Sequence, residues 1–255
     1  MDILLEGVEF NGNSFEFNFN VDKPGELISL TKNTVQFSKG GIKLFSAYKF
    51  NIKEKELNGY NLKGLTDSFK ASLKANSELI NSSDKEKFIK EGVERFNSEV
   101  GVDNFNFALY PRSSSGLVNV LAKELKSKSS SINLIDEAFI KNSLENIKID
   151  YDSYLASAKT PQDKKKREYQ LKSDFKRATK NGKFEIKKVF QNRKSLFSNF
   201  LIFNSEVDKK LFESIENGKV LIIDDIYTSG TTIVEMFNLL KQYAPKEING
   251  FVLIK

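Results

Sequence analysis

Two adjacent carboxylates, Asp224 and Asp225, are followed after Ile226 and Tyr227 by Thr228, Ser229, Gly230, Thr231 and Thr232. Carboxylates at the end of an apolar run accept hydrogen bonds from neighbouring hydroxyls. A hydroxyl-rich loop that opens a helix turns free backbone N–H groups and the positive end of the helix dipole toward an anion. Gly230 lets the backbone approach closely or take a positive φ. The acids repel a phosphate, so the two halves of the segment demand different parts of one molecule. A molecule with vicinal hydroxyls against Asp224 and Asp225 and a phosphate against residues 228–232 meets both demands, and ribose 5-phosphate is one.

Other readings of the segment are weaker. A Walker B strand also ends in acids, but it needs a G-x-x-x-x-G-K-[ST] loop elsewhere, and the sequence has none. A receiver domain places paired acids after its first strand, whereas here only residues 226–255 remain. The plain alternative is a buried strand ending in a turn capped by Thr or Ser. A lone acid pair or a lone Thr-Ser-Gly would leave that alternative ahead; the two together in this order do not.

A second segment offers related chemistry. Arg112 is followed by Ser113, Ser114, Ser115 and Gly116. A guanidinium provides a planar donor fork for phosphate oxygens, and successive hydroxyls and amides add to it; a Ser N-cap beside an incidental Arg is the bland alternative. Lys164, Lys165, Lys166 and Arg167 form a basic run that most simply reads as a solvated helix face. Lys141, Arg177 and Arg193 are weaker candidates for anion contact.

The elements that must carry these loops follow from periodicity. Residues 220–223 are wholly apolar, as suits a strand buried on both faces of a parallel sheet. The loop leads into a helix with Ile233, Met236, Phe237 and Leu240 on one face, then a strand over 248–254, completing a βαβ unit. In such sheets ligands lie beyond the carboxyl ends of the strands, where Asp224 and Asp225 fall. Upstream, residues 104–110 predict a strand, 111–116 a loop and 117–125 a helix. Residues 3–10 and 14–20 predict a hairpin about Asn11-Gly12-Asn13, with strands at 34–37 and 42–52. Leu65, Phe69 and Leu73, then Phe88, Val93 and Phe96, predict two helices. The stretch 132–200 is expected to hold helices near 134–144 and 165–179, a charged mobile segment near 160–166 and a strand at 200–203. The expected division is a β-rich hood or extension over 1–60 and an α/β core over 61–255 with a helical insertion around 132–195.

Composition excludes several classes. The 255 residues contain no His and no Cys, which removes imidazole bases, thiol nucleophiles, disulfides and Cys/His zinc sites. A hydrophobic fraction of 39% with 22 Phe supports a globular core. The net charge of +6 permits a phosphorylated ligand or nucleic acid, but interspersed acids favour an ordinary solvated surface, so nucleic acid is not the preferred partner. No apolar run approaches the roughly 20 residues of a membrane span, the first residues do not look like a signal peptide, and the default expectation is a cytoplasmic protein without membrane contact.

The segment 220–232 resembles the phosphoribosyl pyrophosphate motif of the type I phosphoribosyltransferases, in which an apolar strand precedes two acids and a Thr/Ser-Gly-Thr/Ser loop. The resemblance implies an α/β fold with a mostly parallel sheet flanked by helices. It implies that Asp224 and Asp225 contact the ribose hydroxyls and that Thr228, Ser229, Gly230, Thr231 and Thr232 wrap the 5-phosphate. Residues 107–116 are similar to the family's pyrophosphate loop, which gives Arg112, Ser113, Ser114, Ser115 and Gly116 the leaving group, although this loop is less rich in Gly. The order of motifs is similar to the competence-associated ComF-like branch, without that branch's Cys-based zinc module. The implied activity is transfer of a 5-phosphoribosyl group to a nitrogenous acceptor with loss of pyrophosphate. Mg²⁺ would be held mainly through substrate, with Asp224 and Asp225 as the protein's own candidate ligands, and a homodimer is compatible with the family. The alternatives are a non-catalytic regulator of the same fold that binds nucleic acid or a ribose-phosphate ligand, and a pyrophosphokinase.

Overall fold

The computed structural model describes residues 7–10, 13–18, 28–30, 33–50, 56–57, 60–75, 78–113 and 115–255. The chain enters through β1 (Gly7–Phe10), β2 (Phe15–Asn18) and β3 (Ile28–Ser29), with β1 antiparallel to both neighbours. The predicted hairpin is thus present, with Phe10 opposite Phe15, while Asn11 and Gly12 of its turn lie outside the described residues. β4 (Val35–Lys39) and β5 (Ile42–Tyr48) form a second antiparallel pair. A small ribbon of β6 (Glu56–Leu57) and β7 (Tyr60–Asn61) then leads into α1 (Leu62–Lys74) and α2 (Ser82–Glu99). Asn81 caps α2 by accepting from the Ser83 amide at 2.9 Å. Phe88, Val93 and Phe96 are buried on one face of α2, as their spacing predicts.

The core continues with β8 (Phe107–Pro111), α3 (Leu117–Ser127) and β9 (Asn133–Lys141). After β9 comes an excursion of β10 (Lys148–Ile149), α4 (Tyr151–Ala156), α5 (Pro161–Ala178) and β11 (Phe197–Ser198), where β10 and β11 pair. The chain returns through β12 (Leu201–Phe203) and α6 (Lys209–Glu213), then closes with β13 (Lys219–Ile226), α7 (Thr231–Leu240) and β14 (Glu247–Ile254). Seven strands make the main sheet in the order β12-β9-β8-β13-β14-β5-β4. The five central strands are parallel and both edges antiparallel.

Strand periodicity builds a core on each face. Along β13, Leu221 and Ile223 point into a cluster with Phe96, Leu121 and Phe251, while Val220 and Ile222 point into one with Leu171, Ile233 and Met236. All four strand residues are fully buried, which explains the unbroken apolar run. Because β5 pairs with β14 inside this sheet, a boundary after residue 60 does not separate two bodies of structure.

Two other expectations need correction. Residues 133–141 form strand β9, not a helix. Ile135 and Ala138 lie three apart yet join the same core cluster, which imitates a helical period. The cause is a register irregularity opposite residues 109–111, with Glu137 at φ 46°, that turns the strand's alternation by one residue. Residues 160–166 are the start of α5 and not a loose charged segment. Thr160 accepts from the Asp163 amide at 3.1 Å and Pro161 occupies the first turn, a strong start signal. Among the described residues no helix is long and apolar enough to cross a membrane.

Candidate functional site

The carboxyl ends of β8 and β13 are adjacent in the sheet, so their following loops face each other. Between them opens a cleft of about 670 Å³ that also reaches α1, the end of β9 and residues 184–194. Asp224, Asp225 and residues 226–232 form one wall, and Pro111, Arg112, Ser113 and Ser115 another. The two sequence motifs therefore meet at one site. Ser114 lies outside the described residues, and Gly116 caps α3 at φ 68° without lining the cleft.

The loop after β13 is shaped as an anion cradle. Gly230 sits at φ 71° directly before α7, with no side chain capping that helix. Ser229 and Thr231 hydroxyls lie 2.8 Å apart, and the Thr231 amide is 3.5 Å from the Ser229 hydroxyl. Among the described residues, the amides of Thr228, Ser229, Gly230 and Thr232 donate to no protein acceptor. Four unpaired donors at a helix start match a phosphate in number and in sign.

The adjacent acids are not equivalent. Asp225 is 3% exposed, and its Oδ1 takes an ion pair from Lys74 Nζ at 2.6 Å and the Ile226 amide at 2.6 Å. Its Oδ2 lies 3.4 Å from the Ser115 hydroxyl, which links the two loops. Asp224 is partly exposed, and one of its oxygens accepts from the Asp225 amide at 2.9 Å. Burial, followed by the neighbouring Asp225 charge, raises the Asp224 carboxyl to about 7, with Lys74 opposing. Asp225 is thus committed to the protein, and Asp224 is the acid available to a ligand.

Lys74 carries no signal in the sequence beyond its place at the end of an amphipathic helix. Lys74→Met is expected to destabilise the ligand-free protein at pH 8 by on the order of 1–3 kcal/mol, because two carboxylates then share a site without a cation. At pH 5 Asp224 keeps its proton and the penalty should shrink. Urea unfolding at both pH values measures it; an equal loss at the two would remove Lys74 from the pair.

A family model described as the phosphoribosyl transferase domain matches residues 171–255, which contain β13, the cradle and α7. That third of the chain is similar to the phosphoribosyl transferase domain. A structural comparison aligns 66% of the chain with 63% of the hypoxanthine-guanine phosphoribosyl transferase of L. donovani, at 16% identity and a TM-score of 0.30. The chain therefore spans under two thirds of that protein's length. No curated protein sequence matches the chain.

Around this cleft, the basic residues named from sequence divide sharply. Arg112 lines the cleft, but its guanidinium is held at 2.5 Å by both Glu137 and Glu206. Arg193 and Arg177 both pair with buried Asp174 and pack on Phe190, structural work remote from the cradle. Lys164, Lys165, Lys166 and Arg167 do not line the cleft; Arg167 pairs with Asp163 on α5. Lys141 does line it, among Lys183, Lys187 and Lys188 with Glu185 the one acid acting on it. Lys194, which sequence reading did not single out, lines the cleft and is 7% exposed.

Proposed function

We propose that the protein transfers the 5-phosphoribosyl group of phosphoribosyl pyrophosphate to a nitrogenous acceptor and releases pyrophosphate. The observation that carries the proposal is the cradle of four unpaired amides with a free Asp224 oxygen beside it, opposite the Ser113 and Ser115 loop. The 5-phosphate takes the amides and hydroxyls of residues 228–232. Asp224 accepts from a ribose hydroxyl, and Asp225 holds Asp224 and Ser115 in place. The bond from the anomeric carbon to pyrophosphate breaks with its electron pair going to the leaving oxygen. A lone pair on the acceptor nitrogen forms the new bond, and an N–H acceptor passes its proton to the departing pyrophosphate. Positive charge develops on the sugar beside Asp224, so the protein's contribution is position and electrostatics.

Among the described residues no group of three metal-binding side chains exists. A single outward carboxylate oxygen at Asp224 suits Mg²⁺ that draws most ligands from substrate and water. Asp224 would hold that ion, which when bound neutralises pyrophosphate charge.

Phosphoribosyl pyrophosphate with Mg²⁺ at about 100 times its Kd should stabilise the protein by about 2.7 kcal/mol. For a chain of this size that is a Tm rise of roughly 5–10 °C. Pyrophosphate release with a panel of nitrogen bases then tests transfer. No shift at millimolar ligand would end this reading.

A further inference from the structure

We infer that the acceptor is a flat nitrogen heterocycle bearing one negatively charged group, and that Lys194 receives that charge. This inference rests on the proposed transfer reaction and deepens it. Lys194 lies in the turn at residues 191–196 and is more than nine-tenths buried, yet it lines the same cleft as the phosphate cradle. Among the described residues no carboxylate lies within ion-pair distance of it, and its ammonium makes no hydrogen bond with the protein. The contrast with other buried or half-buried cations is direct: Arg193, one residue earlier, is paired at 2.6 Å with Asp174, and Lys74 with Asp225. A desolvated cation left uncompensated is unfavourable, and folded chains seldom keep one without use for it.

The chemistry of the surroundings selects the ligand. Phe184, Phe200, Leu201 and Ile233 are all buried and contribute apolar surface to this cleft, with the Phe184 and Phe200 rings 5.8 Å apart. Burial alone lowers the Lys194 ammonium from its ordinary value; no neighbouring charge contributes. Pyrophosphate, with several charges, needs donors on many sides, and these side chains supply none. A planar ring satisfies the apolar wall, and one carboxylate on it satisfies one ammonium. Lys141, also partly desolvated and lining the cleft, adds positive potential of the same sign.

The test uses the full chain and a panel of pyridine and pyrimidine rings, each as a carboxylate and as the matching carboxamide. Thermal shift and pyrophosphate release are read with and without phosphoribosyl pyrophosphate and Mg²⁺. The expected result is at least a tenfold preference for acids over amides. Lys194→Met should abolish that preference, retain the shift caused by phosphoribosyl pyrophosphate, and unfold no lower than wild type; Lys194→Arg should restore part of it. Equal response to acids and amides, no response to either, or a preference that survives Lys194→Met overturns the inference. A Lys194→Met loss confined to phosphoribosyl pyrophosphate or pyrophosphate binding assigns the lysine to the leaving group and also overturns it. Failure of phosphoribosyl pyrophosphate to bind wild type counts against the transfer reaction itself, while the acid–amide comparison still reports on Lys194.

Discussion

Asp224→Asn is expected to lose the stabilisation given by phosphoribosyl pyrophosphate with Mg²⁺ and, without ligand, to be more stable than wild type at pH 8. Both effects follow from one environment. Asp224 is the member of the acid pair with an oxygen left for ligand, since Asp225 is taken by Lys74, the Ile226 amide and Ser115. Its carboxyl is raised to about 7 by burial and by Asp225. In the unfolded chain an Asp titrates near 3.9. Between about pH 4 and 7 the folded state therefore binds more protons than the unfolded state, and stability falls as pH rises through that window. The neutral amide removes this fall, a gain on the order of 1–3 kcal/mol at pH 8 that should vanish near pH 4. Asp225→Asn behaves differently: it strands Lys74 and loosens the link to Ser115, so it should lose stability as well as binding. Denaturant unfolding from pH 4 to 8 beside ligand thermal shifts separates the two variants. If Asp224→Asn binds phosphoribosyl pyrophosphate as wild type does, the acid has no role in holding the sugar.

The parts of this arrangement that were legible from sequence are those whose cause is local. The run 220–223 states its own burial, because a parallel strand covered on both faces leaves no polar position. Gly230 before Thr231 announces a helix start at positive φ. The opposite cases depend on the tertiary fold. Strand β9 reads as a helix because the irregularity at Glu137 is set by its partner β8. That Arg112 of the cleft is paired with Glu206 is likewise invisible locally, because that acid reaches it from 94 positions later. Lys74 and Lys194 are ordinary lysines in a chain with 40 Lys and Arg. Only the ion pair of Lys74 with Asp225 and the placement of Lys194 in the wall of the cleft distinguish them.

Gly230→Ala should weaken phosphoribosyl pyrophosphate binding by about 100-fold, through geometry and without any change of charge. At φ 71° an L-residue is strained by roughly 1–2 kcal/mol. A Cβ there would also lie 2.6 Å from the Tyr227 ring. That ring cannot easily yield: it stands edge-on to Phe37 at 4.9 Å, and the Tyr227 amide is fixed to the Ile254 carbonyl at 2.9 Å. The loop must move instead, turning the amides of residues 228–232 away from the phosphate. Losing one or two charge-assisted hydrogen bonds at 1.5–3 kcal/mol each gives about two powers of ten in Kd. A double-mutant cycle with Tyr227→Ala isolates the clash. With the ring removed, Gly230→Ala should cost only the backbone strain, about tenfold, so the two substitutions must be strongly non-additive. Additive effects would mean that the ring does not hold the loop in its binding shape, and wild-type affinity in Gly230→Ala alone would mean that the phosphate is not bound by these amides.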